Sequence, residues 1–255
     1  MKRKIINFLN FVGGIYTFSK QCLQEFAEHS VSRQLLIAQL QNVGVKSIPI
    51  VLIVSSSVGM VMALQFGIGL EKFSGKLYIP KVVTVSILRE LGPIFAGLMF
   101  AARVGSGITS EVASMVVTQQ IDAIRALGTS PIQKIVLPRI LACLISLPIL
   151  TVFANIIGIM SGLFVGSLDL GLPTSYYMQK IRTSIILADY LSGFGKTFFF
   201  ALFVSIPACY LGLHTKRGTR GVGSATTTAV VAACTLILIG DYFLTKFFWI
   251  IESWK

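Results

Sequence analysis

Charge is scarce in this chain: Asp, Glu, Lys and Arg make up 13% of 255 residues, and only 10 are acidic. With 54% hydrophobic residues and a mean hydropathy of +0.80, the chain is too apolar for an ordinary soluble domain and reads as integral to a membrane. The four cysteines (Cys22, Cys143, Cys209, Cys234) stand alone, without the C-x-x-C spacing that zinc or redox chemistry uses, so they read as small packing residues and no metal site is expected. No Ser/His/Asp set, H-E-x-x-H motif or paired carboxylates suited to catalysis occurs, so no catalytic residue is expected. Gly195-Lys196-Thr197 imitates the end of a phosphate-binding loop. Tyr190 occupies the place of its first glycine, however, and no strand precedes it. The net charge of +12 is read against anionic lipid headgroups and not nucleic acid.

What the chain has is long apolar runs. Five are long enough to cross a hydrocarbon core of about 30 Å: roughly residues 48–70, 82–102, 139–168, 197–213 and 224–251. The expected fold class is therefore an all-α integral membrane protein with five transmembrane helices. It divides into an N-terminal segment, 1–42, and a five-span domain, 43–255. Ile5, Phe8, Leu9, Val12, Ile15, Tyr16, Leu23 and Phe26 fall at helical spacing behind Lys2, Arg3 and Lys4. Asn7, Asn10, Gly13 and Gly14 interrupt the run and no small-residue cleavage site follows, which favours an amphipathic interfacial helix over a signal peptide. Lys and Arg are more numerous in the segments before span one, between spans two and three and between spans four and five. The positive-inside rule then places the N-terminus in the cytoplasm and the C-terminus outside.

Small residues recur at every fourth position: Ser55, Gly59, Ala63 and Gly67 in span one; Gly97, Ala101, Gly105, Thr109 and Ala113 from span two; Ala154, Gly158, Gly162 and Gly166 in span three. Such ladders let helices approach closely in lipid, either within one bundle or between two copies in a homodimer. Pro93, Pro148 and Pro207 interrupt spans two, three and four. Arg89, Glu90 and Asp241 lie inside spans, with Lys196 at the outer entrance of span four, all at similar depth. An ionisable group there costs roughly 2.5–3.5 kcal/mol on insertion scales, so each is expected to have a partner on another helix or a polar cavity. Neighbours in sequence do not face each other on a helix, so Arg89 and Glu90 pair elsewhere. Two readings stay open: a structural ion network, or a polar exit site for a headgroup.

Between spans two and three, residues 119–127 form a short amphipathic piece with Ile121, Ile124 and Leu127 on one stripe and Gln120, Asp122 and Arg125 off it. Gly128 is placed as the residue that ends this helix. Ser130 with Gln133 forms a capping box, and Pro131 sits at the first position of the next helix.

Arg89-Glu90-Leu91-Gly92-Pro93, Ala102-Arg103-Val104-Gly105-Ser106, Thr109 to Glu111, Gln119-Gln120-Ile121-Asp122-Ala123, Gly128 and Pro131 closely resemble the MlaE/YrbE family of ABC transporter permeases, as do Ile145-Ser146-Leu147-Pro148 and Gly240-Asp241. The resemblance runs from about residue 42 to 245. It implies a homodimeric permease in a cell inner membrane that carries phospholipids or related lipids between two membranes. The implied partners are a cytoplasmic ATPase dimer, which binds the ATP and Mg, an MCE-domain protein outside, and a small STAS-type protein. Residues 119–127 would be the coupling helix, with Gln120, Ile121, Asp122, Ile124, Leu127 and Gly128 engaging the ATPase. Met62, Phe66, Leu70 and Phe73 would be the lipid-lining face of span one. The competing reading is an ATP-independent channel or structural membrane protein, which has no use for a capped cytoplasmic helix.

Overall fold

In the computed structural model, residues 2–28, 31–71, 75–215 and 218–253 are described, and among them there is no strand. The helices are α1 (Lys2–Glu28), α2 (Arg33–Val43), α3 (Ile48–Glu71), α4 (Ile79–Ser86), α5 (Gly92–Phe100), α6 (Ser106–Val117), α7 (Gln120–Ala126), α8 (Leu137–Leu168), α9 (Thr174–Ser184), α10 (Leu187–Leu213) and α11 (Gly218–Ser253). Three π-helical turns, Ile87–Leu91, Ala101–Gly105 and Ile132–Val136, join α4 to α5 to α6 and lead into α8. Five continuous helical runs are long and apolar enough to cross a membrane: Arg33–Glu71, Lys76–Val117, Ile132–Leu168, Leu187–Leu213 and Gly218–Ser253. They match the five expected spans and are longer. The fourth gains ten residues at its start, because Lys196, taken as its entrance, lies fully buried inside the helix.

The chain packs as two compact units, each assembled from three stretches. The first comprises Met1–Val45, Ala101–Ile145 and Ala201–Leu236; the second comprises Lys46–Phe100, Ser146–Phe200 and Ile237–Lys255. The N-terminal segment is thus part of a unit with later helices. There α1 buries Phe18 and Cys22, setting the Phe18 ring against Tyr210 at 5.8 Å and a 57° tilt, and leaves Leu9, Val12, Tyr16, Leu23 and Phe26 exposed. In the same unit Thr109 donates to its own helix at Gly105 and to the Ala208 carbonyl on α10 at 3.1 Å, so the lower part of the span-two ladder meets span four.

In the second unit the ladders of spans one and three meet each other. Ser55, Gly59, Ala63 and Gly67 are the buried face of α3, and a Cβ on Gly59 would lie 1.9 Å from the Gly158 carbonyl. Contact this close is how apolar helices hold together where lipid offers no hydrophobic drive. Gly166 receives the ring of Tyr177 from α9, a helix outside the five spans, and Tyr177 joins Ile79, Val83, Ile87, Ile159 and Leu163 in a buried core. The ladders of spans one and three are therefore used inside one chain.

Candidate functional site

Pro93 shapes the first candidate site. A proline in a helix has no N–H to give to the carbonyl four residues back, here that of Arg89. The preceding turn is π-helical, with the Gly92 N–H reaching five residues back to Ile87. Opposite it, α10 carries Gly193 and Gly195. A Cβ on Gly193 would sit 2.0 Å from the Leu88 carbonyl, and one on Gly195 would sit 2.6 Å from the Phe248 ring of α11. The two glycines bring α10 close enough for Lys196 to enter the space between α10, the π turn and α11.

The Lys196 Nζ donates to Glu90 Oε2 at 2.5 Å, Thr245 Oγ1 at 2.7 Å, Asp241 Oδ1 at 3.0 Å and the Arg89 carbonyl at 3.3 Å. The last of these is the acceptor that Pro93 leaves without its helical donor. Thr245 in turn donates to the Asp241 carbonyl at 2.8 Å. A buried ammonium is tolerated only when paired and hydrogen-bonded, and Lys196, with no exposed surface, has two carboxylates and two neutral oxygens. The Arg89 guanidinium points elsewhere, to Asp189 at 3.0 Å on α10 and Glu252 at 2.7 Å on α11. Arg89 and Glu90 thus take different partners, as their adjacency requires. Together with Leu238, Asp241, Tyr242, Thr245, Lys246 and Trp249, they line a cavity of about 590 Å³.

The sequence singled out Glu90, Lys196 and Asp241, and the structure brings them into contact. It missed Asp189, Thr245 and Glu252. Their spacing held a signal: Asp189 and Lys196 are seven apart on α10, while Asp241, Thr245 and Glu252 step by four and seven along one face of α11. Arg139, in the first turn of α8, was also missed as a buried cation. It donates to the Ile135 carbonyl at 2.9 Å and pairs with Glu111 on α6 at 3.0 Å.

The second candidate site is α7. Gln119 takes a left-handed conformation, φ 60°, that breaks α6 from α7. At the other end Gly128, φ 71°, donates to the Arg125 carbonyl at 2.9 Å, and Thr129 donates to the Ile124 carbonyl at 3.2 Å. That is a Schellman stop with glycine at the position expected. The capping box does not form: Ser130 uses its main-chain carbonyl, accepting from the Lys134 N–H at 3.2 Å, and no side-chain cap is made.

The expected apolar stripe of α7 is also divided. Ile121 is 3% exposed and packs into its own unit, Ile124 is half-buried, and Leu127 is 81% exposed. Ile121 is therefore an anchor of α7 within this chain. Six residues separate Ile121 from Leu127, which at about 100° per residue sets their side chains about 120° apart around the axis, and α7 ends at Leu127. Gln120, Asp122 and Arg125 are exposed, with Asp122 and Arg125 paired at 3.3 Å. On the expected lipid-lining face of α3, Phe66 and Leu70 pack against the buried core, Met62 is half-buried, and Phe73 lies outside the described residues.

Five long apolar helices, held by small-residue ladders and a buried ion cluster, define a multi-pass α-helical membrane protein. Residues 36–247 match the family described as permease MlaE, and the chain belongs to that family. It is 39% identical over 246 residues to a probable ABC transporter permease protein of Rickettsia conorii, covering 96% of this chain and 95% of that one. It is 34% identical over 215 residues to a probable ABC transporter permease protein of Synechocystis, covering 84% and 82%. A third relative, the intermembrane phospholipid transport system permease protein MlaE of Haemophilus influenzae, is 34% identical over 212 residues, covering 83% and 81%.

Proposed function

We propose that this chain is the membrane-spanning subunit of an ABC transporter that moves phospholipids or related lipids between an inner and an outer membrane. It works as a homodimer in the inner membrane, N-terminus in the cytoplasm and C-terminus in the periplasm. A separate cytoplasmic ATPase dimer binds the ATP and Mg, an MCE-domain protein receives or delivers lipid outside, and a small STAS-type protein completes the assembly. Family membership and the name of the Haemophilus relative support the class of cargo.

The observation that carries the reading is α7: a seven-residue helix stopped at both ends by left-handed residues, with Leu127 projecting from it. It is the coupling helix. Leu127 and the exposed edge of Ile124 enter the ATPase, Gln120 and Asp122 contact its rim, and Gly128 fixes the turn into α8. The cavity beside the π turn takes the headgroup, with Arg89 and Lys246 facing its phosphate and Tyr242 and Trp249 forming apolar walls. Lys196 holds Glu90 and Asp241 in place, and Met62 contacts an acyl chain.

Leu127→Asp tests the reading. An unpaired carboxylate buried in that contact costs several kcal/mol, of the order of 3–5. The variant is expected to insert and dimerise normally while its ATPase no longer co-purifies and hydrolysis in reconstituted membranes falls to the uncoupled level. A variant that keeps its ATPase and couples normally makes α7 a connector and returns the lead to the channel or structural reading.

A further inference from the structure

In the first unit a groove of about 610 Å³ runs between α1, α8 and α10, within the range of about 300–1,000 Å³ typical of small-ligand pockets. Its floor is apolar, built from Leu137, Ile140, Leu141 and Leu144 on α8 with Leu202 and Ile206 on α10. Its lip is the side of α1 not used for packing. Phe18 and Gly14 seat that helix against Tyr210, while Leu23 and Phe26, 72% and 52% exposed, overhang the groove without covering it. Tyr16, Ser19 and Lys20 stand at the rim, and Lys20, the one charged side chain among the lining residues, is exposed.

We propose that this groove holds one anionic phospholipid, with an acyl chain on the leucine floor and its phosphate at Lys20. Two observations select that occupant. The solvent around these helices is lipid, since α8 beyond the groove exposes Ile145 and Ile149 and α1 exposes Leu9 and Val12, so the groove opens onto apolar surface. The rim carries a single positive charge, Lys20, beside the Tyr16 phenol, while the Ser19 hydroxyl donates within α1 to the Ile15 carbonyl at 2.8 Å; that charge matches a phosphate and not a second apolar helix. The lipid acts as a third wall that fastens α1 to α8 and α10. It is separate from the cargo cavity beside Arg89, and the inference rests only on the chain lying in a membrane.

The test is native mass spectrometry of the purified full chain in detergent, titrated with phosphatidylglycerol and with phosphatidylcholine. The native chain is expected to retain one phosphatidylglycerol in preference to phosphatidylcholine. Lys20→Glu should remove that preference, shifting the ratio about tenfold. Leu23→Glu, at an exposed position where folding tolerates change, should weaken retention of both lipids. Leu141→Trp, which fills the floor, should abolish retention in chains that stay monodisperse. Unchanged retention in Leu23→Glu, or an unchanged headgroup ratio in Lys20→Glu, would reduce the occupant to ordinary surrounding lipid and overturn the proposal. So would unaltered lipid retention accompanied by loss of a co-purifying protein, which would give the groove to that protein. Because the readout is binding and not transport, failure here leaves the ATPase-coupling experiment untouched.

Discussion

Helices α10 and α11 follow one another in the chain and are both long and apolar, yet the apolar centre of α10 is 56% buried and that of α11 only 17%. The difference does not lie in hydrophobicity. Most of the buried residues of α10 are small or polar, Ser192, Lys196, Thr197, Ala201, Ser205, Ala208 and Cys209 among them, with Phe200 and Val204 the larger apolar exceptions, while Phe198 and Phe199 face outward. Helix α11 turns outward Val231, Leu236, Leu238, Ile239, Tyr242, Phe243, Phe247 and Trp249, and inward a single stripe: Ala229, Ala233, Ile237, then Asp241 and Thr245 on Lys196. In lipid, large apolar side chains gain nothing by facing protein, so close approach and polar partners decide which side is inside. Helix α10 is surrounded by such partners and α11 has one row of them.

The largest effect separating the two helices should come from Lys196→Met. It leaves Glu90 and Asp241 together without their cation and is expected to destabilise the fold by about 3–5 kcal/mol, read as a lowered thermal transition and yield in detergent. If Lys196→Met proves as stable as the native chain, the cluster is no part of what holds α10 inside. A smaller loss, about 1–3 kcal/mol, is expected for Gly193→Ala, whose methyl meets the backbone carbonyl of Leu88, an atom that cannot swing aside. The smallest effect belongs to the matching change on α11. Gly223 has open space where a Cβ would go, so Gly223→Ala should be neutral to stabilising by up to about 1 kcal/mol through helix propensity alone. Equal effects of the two glycine substitutions would mean that α10 and α11 do not differ in how closely they are packed.

The five spans were legible because runs of about 20 apolar residues have few other uses. Where a span began was not. Asp189 and Lys196 made the start of α10 look like a polar approach to the membrane, since a hydropathy reading cannot see that Arg89, Glu90 and Asp241, far away in sequence, neutralise them. The ladders in spans one to three were plain as repeating glycines, whereas the inward stripe of α11 was hidden because Ile237, Asp241 and Thr245 continue it after two alanines. Glu90, Lys196 and Asp241 could be named from the cost of charge in lipid. The division of the α7 stripe could not be read, because it depends on which neighbours from elsewhere in the chain cover the helix: Ile121 is buried and Leu127 stands outside.

Synthesis from the N-terminus gives the Lys196 cluster a direction in time. Glu90 precedes Lys196 by 106 residues and Asp241 follows it by 45, so Lys196 emerges from the ribosome after its first counter-ion and before its second. A lone lysine at that depth would resist insertion, and the π turn ahead of Pro93, with the Glu90 carboxylate and the Arg89 carbonyl on offer, is waiting for it. Helix α11 then enters last, apolar on nearly every side, and Asp241 and Thr245 meet an ammonium already fixed in place that sets its rotation and depth.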